Sequence, residues 1–180
     1  MKHIQTIIFD FDGTLADCKE LHQRAFRNAL NSVCPEVEYT DEEIEGRPTR
    51  EKIRILHSKG YEFNGDKLNE LKQAETQAHL EKYILFNVEL FDLLHNLSSV
   101  HKLCVASNAT DLFVNRSLEI LQIKHLFQKI NTATDYPAKP DTTTFEDCMR
   151  HTDSNYMNTL IVEDSPVGIQ CATATGCQVL

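Results

Sequence analysis

The sequence contains few of the features that mark non-globular or membrane proteins. Its 180 residues include only 6 Gly and 5 Pro, and 41% are hydrophobic, which excludes collagen-like and disordered chains and allows a buried core. No apolar run approaches the roughly 18 residues that a membrane helix requires. Basic residues form no run, and 27 acidic residues outnumber 18 basic ones for a net charge of −9. We therefore expect neither a nucleic acid nor a membrane surface as partner.

The cysteines also lack the patterns of structural sites. They form no CxxC pair and no spaced set with histidines, which argues against a zinc site or a disulfide framework. We predict that they are reduced packing residues of a cytoplasmic protein: Cys18, Cys34, Cys104, Cys148, Cys171 and Cys177. The apolar stretch at residues 4–9 is too short for a secretory signal, and acidic residues follow it directly.

Short apolar runs alternate with helical patterns in most of the chain. Four runs are typical of strands buried on both faces: Ile4–Phe9, His101–Ala106, Lys129–Ala133 and Thr159–Val162. A fifth begins at Gln178, where the chain stops. Helices are predicted over Asp111–Gln122, Thr143–Arg150 and Ser165–Thr175. This alternation predicts an α/β fold, a Rossmann-like doubly wound parallel sheet.

Residues 17–98 show helical patterns only. Apolar spacing predicts one helix through Leu21, Ala25, Phe26, Ala29, Leu30 and Val33, and a longer one through Leu68, Leu71, Ala74, Ala78, Tyr83 and Ile84. Thr40 and Glu43 form a capping box, and Thr49 is predicted to be a second N-cap. We therefore expect an α/β core at residues 1–16 and 99–180, with an all-α domain inserted at 17–98. That core is either close to the smallest workable size or shortened.

Two carboxylates follow the first predicted strand. Alternate side chains of an extended chain share a face, so Asp10 and Asp12 point together. Paired carboxylates at a buried strand end repel each other and lose hydration, unless a cation or a shared proton compensates. Gly13 permits a tight turn beside them. The alternative is an ordinary strand end with two solvated acids.

Polar groups also follow the other strands. Ser107 and Asn108 end the second strand with amides that could hold a phosphate oxygen, and Glu163 and Asp164 end the fourth. Lys139 lies between them in a Pro-containing loop. Each feature alone is compatible with a turn, an N-cap or a solvated lysine. Together they place acids, a hydroxyl and an ammonium at the edge where open α/β sheets bind ligands.

These motifs, in this order, resemble those of the haloacid dehalogenase superfamily. They read Asp10-Phe-Asp12-Gly13-Thr14, Ser107-Asn108, Lys139-Pro140 and Glu163-Asp164-Ser165. The helical insert resembles the superfamily's α-helical, C1-type cap. Gly168-Ile169-Gln170 with Gly176, and Gly46-Arg47-Pro48-Thr49-Arg50, are similar to the phosphoglycolate phosphatase and β-phosphoglucomutase-like branch.

The resemblance implies a mechanism. Asp10 would be the nucleophile that becomes an aspartyl-phosphate, and Asp12 the general acid and base. Mg²⁺ would be held by the Asp10 carboxylate, the Asp12 backbone carbonyl and Asp164, with Glu163 as a ligand or beside the ion.

The resemblance also implies a substrate site. Ser107, Asn108 and Lys139 would bind the phosphoryl oxygens, and Lys139 would restrain Asp10 as well. In the cap, His22 and Arg50 would reach the substrate.

The implied activity is hydrolysis of a small phosphorylated metabolite, by a monomer or alternatively a dimer. Related phosphohexose mutases usually carry a lysine on a later cap helix, where a rough alignment places His79, and they tend to lack a threonine at the position of Thr14. Both points favour a phosphatase over a phosphomutase. A catalytically silent binding module is the alternative of another class.

Overall fold

The computed structural model describes residues 4–44 and 47–180, so that Gly46 of the cap motif lies outside the described residues. Contacts within the chain divide it into two compact units. One consists of residues 1–17 and 84–180, and the other of residues 18–83.

The first unit is an α/β unit built on a five-stranded parallel sheet of order β3-β2-β1-β4-β5. Its strands are β1 (Thr6–Phe9), β2 (Lys102–Ser107), β3 (Phe127–Thr132), β4 (Thr159–Val162) and β5 (Gln178–Val179). Its helices are α5 (Val88–Ser98), α6 (Asp111–Ile120), α7 (Thr143–His151) and α8 (Pro166–Ala174), with a 3-10 turn at Lys124–Leu126. The predicted Rossmann-like α/β fold is confirmed.

The strand register brings the polar strand ends to one edge of the sheet. Phe9 of β1 pairs with Val105 of β2 on one side and with Val162 of β4 on the other. The residues that follow these pairs, among them Asp10 and Glu163, therefore leave the sheet at nearly the same level. The position of β1 between β2 and β4 is also where the strand order reverses, the usual ligand-binding place of open α/β sheets.

The second unit is helical, with α1 (Lys19–Val33), α2 (Asp41–Ile44), α3 (Thr49–Ser58) and α4 (Gly65–Tyr83). The predicted apolar face of α1 is confirmed, because Leu21, Ala25, Phe26, Ala29 and Leu30 are buried. The predicted face of α4 is confirmed at Leu68 and wrong at Ala74 and Ala78.

On α4 the buried residues are Leu68, Lys72, Thr76 and Leu80, whereas Ala74 and Ala78 are exposed. These four residues are spaced four apart and so lie on one face of the helix, the face that meets α1. Two of them, Lys72 and Thr76, are polar. The apolar residues alone therefore predict only part of the buried face of this helix.

Two boundaries differ from those expected. Helix α5 falls in the α/β unit, not in the inserted helices, because it packs against β2 and buries Leu94. Helix α3 begins at Thr49 itself, and Pro48 occupies the N-cap, one residue before the predicted one. In the predicted capping box, the Thr40 N–H donates to Glu43 Oε2 at 2.9 Å.

All six cysteines carry free thiols, five of them buried. Among the described residues, no helix has both the length and the apolar character needed to cross a membrane.

Candidate active site

The centre of the site is a buried lysine held between two carboxylates. Lys139 Nζ donates to Asp10 Oδ1 at 2.5 Å and to Glu163 Oε1 at 2.6 Å. All three residues are at least nine-tenths buried. The ring of Phe145 lies beneath the ammonium, 5.1 Å from Nζ to the ring centroid, where its negative face attracts a cation. The sheet edge thus holds two buried acids around one fixed ammonium.

The site has more carboxyl groups than ammonium groups, and the pKa values of two carboxyl groups are raised. Burial, with a smaller effect of the charge of Glu163, raises the pKa of Asp10 to about 7 despite the opposing effect of Lys139. Burial and the neighbouring Glu163 also raise the pKa of Asp164. A group of carboxylates that ionises this reluctantly favours a bound cation.

The donor set suits such a cation. Carboxylate oxygens of Asp10, Glu163 and Asp164 lie within 4.8 Å of one another. An arrangement of oxygen donors alone is typical of Mg²⁺ and Ca²⁺ sites. Among the described residues, this group of carboxylates does not include that of Asp12. A contribution of Asp12 to a cation site would therefore come from its backbone carbonyl.

Both carboxylate oxygens of Glu163 accept hydrogen bonds. Its Oε1 accepts from Lys139, and its Oε2 accepts from the Ser165 N–H and the Ser165 hydroxyl, both at 3.0 Å. The Ser165 hydroxyl in turn caps α8 by accepting from Gly168 N at 3.1 Å. These bonds favour Glu163 as the residue that fixes Lys139 at the sheet edge.

The turn after β1 requires glycine. Gly13 has φ +97°, and its N–H donates to the Ala16 carbonyl at 2.8 Å. A Cβ at this position would lie 2.1 Å from Asp164 Oδ2. The missing side chain therefore lets the Asp164 carboxylate approach the loop that carries Asp12.

The end of β2 contributes Ser107 and Asn108. Ser107 is buried, and its Oγ accepts from the Ala109 N–H at 3.1 Å, which leaves the hydroxyl hydrogen to donate. The side chain of Asn108 contacts the backbone of Lys139, so that a phosphate contact would come from its main-chain amide.

Sequence reasoning missed the residues that hold the loop of Lys139. The Tyr136 hydroxyl donates to Asp147 Oδ2 at 2.8 Å, which ties the start of this loop to α7. Phe145 lies within the predicted helix Thr143–Arg150, where the sequence gives no sign of its contact with the ammonium. No local pattern identifies these partners, because each contact depends on the path of the loop.

In the helical unit, His22 has a lysine partner that the alignment did not find. His22 Nδ1 lies 3.3 Å from Lys72 Nζ, and Lys72 is buried. His79 instead contacts Glu75. The later helix thus carries a lysine beside His22, so that His79 is no argument against a mutase. Arg50 is exposed, at the second position of α3.

Comparison with known proteins identifies the family. A profile of haloacid dehalogenase-like hydrolases matches residues 7–180, nearly the entire chain. The chain belongs to the haloacid dehalogenase-like hydrolases. The predicted superfamily and the predicted hydrolase class are confirmed.

Two relatives of this hydrolase have assigned activities. The pyrophosphatase PpaX of Anoxybacillus flavithermus is 26% identical over 168 residues, covering 91% of this chain and 76% of its own. The fructose-1-phosphate phosphatase YqaB of Escherichia coli is 26% identical over 180 residues, covering 94% and 92%. Among solved structures, CbbY of Rhodobacter sphaeroides in complex with phosphate has a TM-score of 0.82 at 21% identity, covering 98% and 84%.

The glycine of α8 provides a first prediction about this hydrolase. A Cβ on Gly168 would lie 1.8 Å from Glu163 Oε1, so Gly168→Ala should displace the carboxylate that holds Lys139. We expect a loss of about 1–3 kcal/mol in the free energy of unfolding, instead of the gain of about 1 kcal/mol usual for this change in a helix. Urea titration measures it, with Thr173→Ala on the exposed face of α8 as control. Equal stability and activity of Gly168→Ala and wild type would contradict this packing.

A second prediction concerns pH. Asp10 binds its proton more tightly in the folded hydrolase than in the unfolded chain, with a pKa of about 7 against 3.8. Between these values the folded state holds more protons, so raising the pH from 4 to 7 in EDTA should lower the Asp10 contribution to stability. Asp10→Asn should flatten that decline in the free energy of unfolding, measured by urea titration. Identical pH profiles for the two proteins would contradict the raised pKa.

Proposed function

We propose that this hydrolase is an Mg²⁺-dependent phosphatase that acts on a small phosphorylated metabolite through an aspartyl-phosphate on Asp10. The observation that carries the proposal is the Lys139 ammonium between Asp10 and Glu163, at the sheet edge where Ser107 also lies. The names of the two relatives, a pyrophosphatase and a sugar phosphatase, support phosphoryl transfer to water.

In the first step, a carboxylate oxygen of Asp10 forms a bond to phosphorus as the bond to the leaving oxygen breaks. Lys139 holds Asp10 at Oδ1, which fixes the carboxylate for attack. Asp12 gives its proton to the leaving oxygen, and the Ser107 hydroxyl and Lys139 stabilise charge on the phosphoryl oxygens.

In the second step, Asp12 takes a proton from water as that water attacks phosphorus. The bond from phosphorus to Asp10 breaks, and inorganic phosphate leaves with the Asp10 carboxylate restored. When bound by Asp10, the Asp12 carbonyl and Asp164, Mg²⁺ supplies positive charge that keeps Asp10 ionised and offsets the charge of the phosphoryl group.

Residues 18–83 are proposed to act as the cap that selects the substrate. Lys72, which lies beside His22, and Arg50 are cationic residues of this unit suited to a phosphorylated ligand. The pair of Lys72 and His22 leaves the phosphomutase alternative in place, in which Asp10 passes its phosphoryl group to a sugar hydroxyl.

The test is a screen of purified protein with Mg²⁺ against phosphoglycolate, hexose phosphates, fructose 1-phosphate, nucleoside monophosphates and pyrophosphate. Sustained release of inorganic phosphate, lost with EDTA and restored by Mg²⁺, supports the phosphatase. Isomerisation of a sugar phosphate without release supports the mutase. No Mg²⁺-dependent turnover of any substrate supports the binding module.

A further inference from the structure

The side-chain amide of Asn108 makes two hydrogen bonds to the backbone of Lys139. Its Oδ1 accepts from the Lys139 N–H at 2.7 Å, and its Nδ2 donates to the Lys139 carbonyl at 3.4 Å. The two residues are 31 positions apart, on different loops of the same sheet edge. Because the donor at Lys139 is an N–H, only the amide oxygen of Asn108 can meet it, which fixes the orientation of the amide.

We infer that Asn108 is a positioning residue that acts through Lys139, and that its side chain does not itself bind the phosphoryl group. The inference rests on the proposed function, because it assigns a role in phosphoryl transfer to Lys139. Both polar ends of the Asn108 amide serve the Lys139 backbone.

The side-chain ammonium of Lys139 is held by other residues. Phe145 supports the ammonium, and Asp10 and Glu163 accept from it, but these contacts act only on the end of a long, flexible side chain. The Asn108 side chain fixes the point from which that side chain starts. It therefore joins the strand end that carries Ser107 to the loop that carries the ammonium.

The consequence for catalysis is geometric. Lys139 must reach Asp10 and the phosphoryl oxygens together, and a displacement of about 1 Å in such a site can cost about 100-fold in rate. We expect Asn108→Ala to lower kcat about 10- to 100-fold. Since Asn108 is exposed, its truncation leaves no buried cavity, and its melting temperature should stay close to that of wild type.

A double-mutant cycle with Lys139→Met tests the inference, with p-nitrophenyl phosphate as substrate because its good leaving group keeps weak activities measurable. If Asn108 acts through Lys139, adding Asn108→Ala to Lys139→Met should change kcat less than about 3-fold. A full 10- to 100-fold loss in that background would show a separate contact with the phosphoryl group and overturn the inference. So would an Asn108→Ala variant with wild-type kcat.

Asn115→Ala is the matched control, because Asn115 also uses its side-chain amide within the α/β unit, to hold Asp111 at the start of α6. It should retain wild-type kcat. A second measurement, hydrogen exchange of the Lys139 amide, is independent of activity. Asn108→Ala should accelerate this exchange and Asn115→Ala should not, and unchanged exchange in Asn108→Ala would overturn the inference. If wild type releases no phosphate, the proposed function fails, while hydrogen exchange still tests the contact.

Discussion

Asp10→Asn is expected to lower kcat for phosphate release by at least ~10³-fold without loss of stability. The carboxylate supplies the attacking oxygen, and an amide oxygen at the same place is too weak a nucleophile to replace it. Stability should be preserved because the substitution removes a buried carboxylate whose burial raises its pKa to about 7. At pH 8 in EDTA we expect a free energy of unfolding equal to or above that of wild type.

The measurement combines phosphate release with urea titration of the same protein. Asp135→Asn is the matched control, because Asp135 is an exposed acid of the α/β unit and its variant should retain both activity and stability. Turnover by Asp10→Asn within tenfold of wild type would exclude Asp10 as the nucleophile. A loss of both activity and stability would indicate a structural role for its charge.

Lys139→Met should lower both activity and stability. The variant leaves Asp10 and Glu163 buried without their shared ammonium, and breaking a buried ion pair typically costs about 3–5 kcal/mol. The cost should be largest at pH 8 and smaller at pH 5, where protonation of a carboxylate relieves the repulsion. We expect kcat to fall about 10²- to 10³-fold, since one positive group at the transition state is lost.

Urea titrations at both pH values and steady-state kinetics measure these effects. The control is Lys124→Met, which removes an exposed ion pair with Glu119 and should cost less than about 1 kcal/mol. Equal losses for the two variants, or a Lys139→Met cost that does not depend on pH, would contradict the buried charge cluster.

The motif residues at the strand ends could be predicted because parallel strands have a simple geometry. A buried run followed by Asp10, and another followed by Glu163, must leave the sheet at the same edge once the runs pair in parallel. The resemblance further implies that Lys139 would restrain Asp10, whereas the strand order and the second contact of Lys139, with Glu163, come only from the structure.

The missed contacts depend on side-chain paths that no local pattern encodes. Asn108 meets Lys139 across 31 residues, and His22 meets Lys72 across 50. Lys72 does leave a trace in the sequence, since it falls four residues after Leu68 on the buried face of α4. Because Lys72 is charged, it interrupts the apolar pattern on that face, and the pattern predicts that Ala74 is buried instead.

Trapping the intermediate tests the central claim most directly. In Asp12→Asn, p-nitrophenyl phosphate should still phosphorylate the enzyme, because its leaving group needs no acid, whereas hydrolysis lacks its base and slows. Acid quenching followed by mass spectrometry of peptides should therefore find one phosphoryl group on Asp10 in Asp12→Asn with Mg²⁺, and none in Asp10→Asn. A phosphoryl group on another residue, or p-nitrophenol release by Asp12→Asn with no phosphorylated peptide, would contradict an aspartyl-phosphate on Asp10.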